Sequence, residues 1–260
     1  MYTQRIIAVV VITVIFLMET FFPYRKDIKN RYLHLGRNGF FAIINGIFTS
    51  AFNIVILLTA MYYAEKHSLG LLRSFDLFPF LSFGLAFIIF DLWMYVWHRV
   101  NHNIYFLWLF HRVHHSDPVL DMSSSFRFHP IEIIISSVLN VIFFVLIGIS
   151  LEQIALYSVI FHANVLFHHS NIDLPEKIDR IVRYVFVTPN MHRVHHSIKR
   201  VETDSNYASV FSFWDRMFLS YKERDVSLIV YGLKFLKEDK WQNIIGLLKM
   251  PFLNKNKIKV

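Results

Sequence analysis

The sequence predicts an all-α integral membrane protein: a helical bundle of three spans and a helical hairpin, capped by a cytoplasmic helical domain rich in histidine. Three observations carry this. Of 260 residues, 55% are hydrophobic and only 18% charged, against roughly 25% charged in soluble domains. The apolar excess comes in blocks long enough to cross a bilayer, which takes about 20 helical residues. Finally, 12 of the 14 histidines fall between His98 and His196. Such a composition excludes an ordinary soluble domain and a disordered chain. The absence of cysteine excludes disulfides, thiolate-held iron–sulfur clusters, Cys-ligated zinc and a cysteine nucleophile. It leaves the redox compartment undetermined.

The first apolar block covers residues 6–22. Only Arg5 precedes it and no small-residue cleavage site follows, so it reads as a retained span, not a signal peptide. The second covers roughly 40–63 and the third roughly 77–97. Segments 131–148 and 151–167, joined by a short link around Ser150, leave no room for a loop and predict a hairpin that enters the membrane and returns. Its second arm carries Gln153, His162 and Asn164, which predicts a protein-facing arm, because unsatisfied polar groups are costly in hydrocarbon.

Basic residues set the orientation. Loop 24–38 holds Arg25, Lys26, Lys29, Arg31 and Arg37, the next loop only Lys66 and Arg73, and the chain beyond Asn171 holds 16 of the 27 Lys and Arg. The positive-inside rule assigns the first loop and the tail to the cytoplasm. Tracing the crossings then puts 98–129, and everything from His168 onward, on that side. The net charge of +8 is explained by a tail meeting anionic headgroups; no nucleic-acid motif is present. Segment 235–252 mixes Trp241, Ile244, Ile245, Leu247 and Leu248 with lysines, predicting a helix lying in the interface. The chain divides into an N-terminal transmembrane region (1–82), a histidine-rich catalytic domain (83–222) and a basic amphipathic tail (223–260).

Four groups of histidines need a chemistry. They are HRVNH (His98, His102), HRVHH (His111, His114, His115), HANVLFHH (His162, His168, His169) and HRVHH again (His192, His195, His196). The hexapeptide HRVHHS occurs twice, at 111–116 and 192–197. Residues three or four apart share a helix face, so each group aims at least two imidazoles at one point. Asp91, Tyr95, His98 and His102 continue one helical stripe, which makes Asp91 a candidate to hold or orient a ligand from below, the alternative being a buried partner of Arg or Tyr. Lone histidines such as His34 and His67 read as surface or satisfied core residues. His129 is intermediate: a cap for the 131 helix, a substrate contact or a residue near the site. The eight histidines of the three short motifs point to metal, since imidazole suits Zn, Cu, Fe and Ni. A structural zinc takes four ligands and a catalytic zinc about three, so eight imply two metals. No HExxH is present, which argues against a zinc hydrolase. A histidine-rich transporter would place its ligands near the middle of its spans, whereas these lie at the span ends.

The motifs DLWMYVWHRVNH, LWLFHRVHHS, SFRFHP, HHSN and TPNMHRVHHS, followed by DSNYA and FWDRMF, resemble the fatty acid hydroxylase superfamily, also called the sterol desaturase family. The resemblance covers about residues 83–221. It implies a membrane-bound, non-haem di-iron oxidoreductase that uses O2 and external electrons to hydroxylate or desaturate a lipid or sterol. By motif position it assigns His98, His102, His111, His114, His115, His192, His195 and His196 as metal ligands. His169 is the best match for a further ligand, with His168 and His162 weaker candidates. Asp204, Asn206 and Tyr207 match a segment beside the metal site. The cofactors implied are two Fe ions, with zinc an expected contaminant of purified protein because it outcompetes Fe(II). O2 is the implied co-substrate, and with no fused cytochrome domain the electrons are expected from a separate donor protein. Ala208 and the pair Leu219–Ser220 depart from the family, which usually has Gly and Gly-Thr there. Hydroxylation and desaturation need the same iron shell, so these residues do not separate them.

Overall fold

A computed structural model describes residues 2–26 and 28–253. Lys255, Lys257 and Lys259 of the predicted basic tail lie outside them. Helix α1 (Tyr2–Phe21) precedes α2 (Arg31–Phe52), which passes through a π-helical segment (Asn53–Leu57) into α3 (Leu58–Lys66). No proline occurs between Pro23 and Pro79. Nothing therefore breaks this rod, which is about 54 Å long at roughly 1.5 Å per residue. The basic segment 24–38 is consequently a loop only as far as Asn30, whose left-handed backbone starts α2; Arg31, His34 and Arg37 are helical.

Helix α4 (Pro79–Asn103) begins on a proline whose fixed φ suits a first turn. At Ile104 the backbone is extended, and α5 (Tyr105–His115) folds back against α4. Helices α6 (Pro130–Ile147) and α7 (Leu151–His169) form the hairpin. Gly148 closes α6 with a left-handed backbone, and Ser150 opens α7 through a reciprocal capping box with Gln153. Gly70, also at positive φ, packs against this turn: a Cβ there would lie 2.2 Å from the Gly148 Cα. Beyond the turn the two arms part, α6 packing on α2 and α3, and α7 on α1 and α4.

Short helices follow: α8 (Glu176–Val182), α9 (Pro189–His195), α10 (Arg200–Thr203), α11 (Phe213–Met217), α12 (Asp239–Gln242) and α13 (Ile244–Lys249). Among the described residues there are isolated bridges but no strands. The all-α membrane bundle is therefore what the structure contains. Among the described residues three helices are long and apolar enough to cross a membrane: Arg31–Ser74, α4 and α6. The first two contain predicted spans, and the third is the outgoing arm of the hairpin. The apolar part of α1, Ile6–Phe21, is shorter.

Two features attach the outer elements to the centre. Buried Glu19 of α1 accepts from the amides of Met122 (2.8 Å) and Asn171 (2.9 Å) and pairs with Arg31 (2.9 Å). The tail departs from the single interfacial helix expected over 235–252. Asn243 interrupts it, capping α13 through the Gly246 amide, and Leu247 and Met250 are fully buried against Phe41, Trp108 and Val113. Leu247 and Met250 thus cover a protein face while Ile245 and Phe252 stay exposed, and Arg112 of α5 donates to the Met250 carbonyl.

The glycine contact yields a stability prediction. Gly70→Ala forces backbone apart at the hairpin turn and should cost about 1–3 kcal/mol, read as a lower Tm in detergent. Gly84→Ala, with nothing within 4 Å of its added Cβ, should leave Tm unchanged or slightly raised.

Candidate metal centre

The corner at Ile104 brings the end of α4 against α5, while α7 and α9 close the space from the other side. Nine histidines converge there in two groups. His98, His102, His111, His115 and His195 form one; His114, His169, His192 and His196 form the other. Within each group the candidate ligand atoms lie within 4.8 Å of one another. The repeated HRVHHS has a geometric meaning. In its first copy the i and i+4 imidazoles, His111 and His115, join the first group and His114 the second. In its second copy His192 and His196 join the second group and His195 the first. Each copy thus serves both groups, with the roles exchanged.

The orientation of the rings follows from their outer nitrogens. Nδ1 of His98 donates to the Tyr207 carbonyl (2.7 Å), that of His195 to the Ser205 carbonyl (2.7 Å), and that of His169 to the Val165 carbonyl (2.8 Å). Nδ1 of His111 donates to Glu132 Oε1 at 2.7 Å. A carbonyl or carboxylate only accepts, so the proton sits on Nδ1 and each Nε2 presents a lone pair inward. The Nε2 atoms then meet at 3.0–3.2 Å, in the pairs His98–His195, His111–His115, His114–His169, His169–His192 and His192–His196. Burial, reinforced by neighbouring imidazoles, holds His114, His115, His192 and His196 well below the usual histidine range. Burial likewise lowers His195 to about 3.

These residues fit a metal. Neutral imidazole is the ligating form, and an outer N–H held by a carbonyl or carboxylate is what fixes a ligating histidine. His102 keeps a buried Nε2 without any protein partner. The imidazole set suits iron, zinc, copper or nickel.

The other predicted residues fall around the two groups. His168 belongs to neither, although its ring lies 4.1 Å from that of His192. His162 is exposed and donates to the Ser158 carbonyl of its own helix. His129 caps α6, Nδ1 accepting from the Ile131 amide and Nε2 donating to the Leu248 carbonyl, both at 3.2 Å. Asp91 touches no imidazole; it accepts from Tyr157, Trp214 and the Phe211 amide. Asp204 Oδ1 lies 3.4 Å from His102 Nδ1, off hydrogen-bonding alignment, and Asp204 also pairs with Arg200. Asn206 joins the Met191 and Lys222 carbonyls and accepts the Lys222 amide, so it braces the loop. Tyr207 acts on His98 through its backbone, and its ring lies 5.1 Å from His102.

Glu132 is the contributor that the sequence reading passed over. A carboxylate in the first turn of PIEIII is as conspicuous as Asp91, and was the available signal. His34, read as satisfied, is more than that. It lies between Asp117 (2.9 Å) and Asp121 (2.9 Å), fastening α2 to the loop that leaves His114 and His115. Burial opposes ionisation of Asp117, but His34 and Arg127 overcome it and hold the carboxyl well below its usual range.

A cavity of about 770 Å³ opens between the two arms of the hairpin. Apolar residues of α1, α2, α4, α6 and α7 line most of it, and it ends on His98, His111, His114, His169 and His192.

Residues 83–220 match the fatty acid hydroxylase family. The chain is 30% identical over 152 residues to an alkylglycerol monooxygenase from Homo sapiens, covering 57% of this chain and 32% of that one. It is 31% identical over 134 residues to an ornithine lipid hydroxylase from Rhizobium tropici, covering 51% and 39%. With a cholesterol 25-hydroxylase from Rattus norvegicus it shares 28% over 167 residues, covering 61% and 53%. The matched region thus spans about a third of the alkylglycerol monooxygenase. No solved structure matches the chain.

Two predictions follow from the geometry. Glu132→Gln keeps the shape but weakens the charge-assisted grip on His111, and should lower metal affinity about 10–100-fold, measured by competition with a chelating dye. The second concerns pH. In metal-free protein His114, His115, His192, His195 and His196 are neutral when folded but take up protons when unfolded below about pH 6.5. Stability is complete above that value and is lost as pH falls toward about 3. Melting curves of chelator-treated protein should therefore show a Tm that declines steadily from neutral pH into acid.

Proposed function

The chain belongs to the fatty acid hydroxylase family, and from that premise we propose that it hydroxylates a membrane lipid or sterol, using O2 and electrons from a separate donor protein. The observation that carries this reading is the cavity between the hairpin arms, apolar along its length and ending on both histidine groups. Its volume suits a single ligand buried lengthwise. The hydroxylase and monooxygenase relatives support hydroxylation over desaturation.

In this reading His98, His102, His111, His115 and His195 hold one metal ion, and His114, His169, His192 and His196 a second. Two iron ions there would supply the O2 activation that attack on an unactivated C–H bond requires. The chain's own residues do the rest. Glu132 and the carbonyls of Tyr207, Ser205 and Val165 keep each Nδ1 protonated and each Nε2 free to ligate. Phe128 stacks on His114 at 4.3 Å and fixes the plane of that ring. Trp93 and Trp97 donate to Asn140 (2.7 Å) and Ser136 (2.9 Å), holding the α4 and α6 walls of the cavity in register. A substrate chain enters from the bilayer between the parted arms, and its reacting carbon is positioned by the cavity floor. His168 and His162 also line this cavity and stand as supporting candidates. The positive-inside pattern supports a metal site and C-terminus facing the cytoplasm, where a donor protein reaches them.

The test is lipid mass spectrometry of cells expressing the wild type beside a His114→Ala/His195→Ala variant. A product heavier by one oxygen, absent from the variant, is expected. A product lighter by two hydrogens would make the protein a desaturase. Unchanged lipids, together with no iron bound to anaerobically purified protein, would end the oxygenase reading.

A further inference from the structure

From Tyr184 to Pro189, and again from Ser205 to Trp214, the chain carries no Lys, Arg, Asp or Glu. The two stretches pair: the Val187 amide donates to the Val210 carbonyl (3.0 Å) and the Ser212 amide to the Val185 carbonyl (2.9 Å). The resulting tip leans on α4. Phe211 meets the Phe87 ring at 5.6 Å. The Phe211 amide (3.1 Å) and Trp214 Nε1 (2.8 Å) both donate to Asp91 Oδ2, while the Tyr157 hydroxyl donates to Oδ1 (2.7 Å). Phe87 is the central residue of the apolar segment 77–97 and lies about 16 Å along α4 from His98. The tip therefore reaches the middle of a span.

Its outer face is bare. Tyr184 is 67% and Ile181 73% exposed, and Val185 and Phe186 are exposed between them and the α4 contact. Nearer the histidines, where Phe218 stacks on Tyr95 at 5.3 Å, Leu219 is 93% exposed at φ 57°, a backbone that leucine adopts only at a cost. The charged neighbours are engaged at the root of the tip: Arg183 reaches Glu223 (3.3 Å), and Arg216 donates to the Ser212 carbonyl (3.3 Å) and hydroxyl (3.1 Å), between the rings of Tyr184 (5.5 Å) and Tyr221 (4.2 Å).

We propose that this lobe enters the acyl layer of the bilayer as a wedge alongside α4, with Val185 and Phe186 deep and Leu219 near the headgroups. Irregular backbone is tolerated at that depth only where its polar groups are satisfied. Asp91 does this for Phe211, which gives a carboxylate within a span its purpose. The two guanidinium groups at its root are neutralised or satisfied within the lobe, Arg183 by Asp179 and Glu223 and Arg216 by Ser212 and the Arg183 carbonyl. Continuity with the lipid-facing surface of α4 identifies the occupant of the bare face as lipid. Helix α9 follows the tip directly, so the wedge sets the depth of His192, His195 and His196. This modifies the expectation that everything beyond His168 lies in the cytoplasm, and it does not depend on the reaction catalysed.

The absence of cysteine makes the test direct. Full-length Val185→Cys, Leu219→Cys and Arg224→Cys variants are each labelled with an environment-sensitive NBD fluorophore and placed in phosphatidylcholine nanodiscs. The label at 185 should be blue-shifted and lose intensity most with lipids carrying a nitroxide deep in the acyl chain. That at 219 should respond to a nitroxide near the headgroup, and that at 224 to aqueous iodide alone. Iodide quenching at 185 without lipid quenching would overturn the proposal. So would a blue-shifted label that neither quencher reaches, which would mean that a protein covers the face. Ile181→Cys, on the same bare surface, repeats the measurement if Val185→Cys fails to fold.

Discussion

Nine imidazoles packed together, eight of them with Nε2 atoms 3.0–3.2 Å from a neighbour's, form the constraint that the remaining structure satisfies. Charged rings at such distances would repel, and burial removes the solvent that would screen them. Such crowding favours neutral rings, and in His98, His111, His169 and His195 an outer acceptor keeps the proton on Nδ1. These acceptors come from places as unlike as the side chain of Glu132 and the backbone of Tyr207. Several Nδ1 atoms, those of His114, His115, His192 and His196, have no such partner. Their rings are held by packing alone, as where Phe128 stacks on His114.

The repeated HRVHHS uses both faces of its helix. Its histidines point into the cluster, while its Arg and Val anchor outward. Val113 and Val194 are buried; Arg112 donates to the Met250 carbonyl, and Arg193 to the carbonyls of Ser170 and Ile172. One arginine therefore ties the site to the C-terminal tail and the other to the exit of the hairpin. The apolar helices are fastened in a related way, by isolated carboxylates that each serve backbone amides or a ring. Glu19 serves Met122 and Asn171, Asp91 serves Phe211 and Trp214, and Glu132 serves His111.

The parted hairpin links this site to the membrane. A tight αα-hairpin would have filled its own interior, but here α6 and α7 meet only at their turn, where the Gly70 backbone packs on Gly148. The space left between the arms is the cavity that reaches the histidines. Indole hydrogen bonds from Trp93 and Trp97 brace one wall of it without filling it.

Much was legible in the sequence because the governing rules are local. Apolar length identified the bundle, and spacing of three and four residues identified which imidazoles share a helix face. All nine named as ligands come together. The sequence did not reveal how they divide, that each copy of the repeat serves both groups, or that Asp91 faces Trp214 and not an imidazole. Nor did it reveal that segment 235–252 clamps α5 as two short helices. By itself, then, the sequence determined the helices, their membrane character and the supply of inward-facing imidazoles, because these follow from periodicity within one element. The tertiary structure alone decided the partition of the ligands, the partners of their outer nitrogens and the opening of the cavity. Those depend on contacts between residues as distant as His98 and Tyr207, which no local pattern encodes.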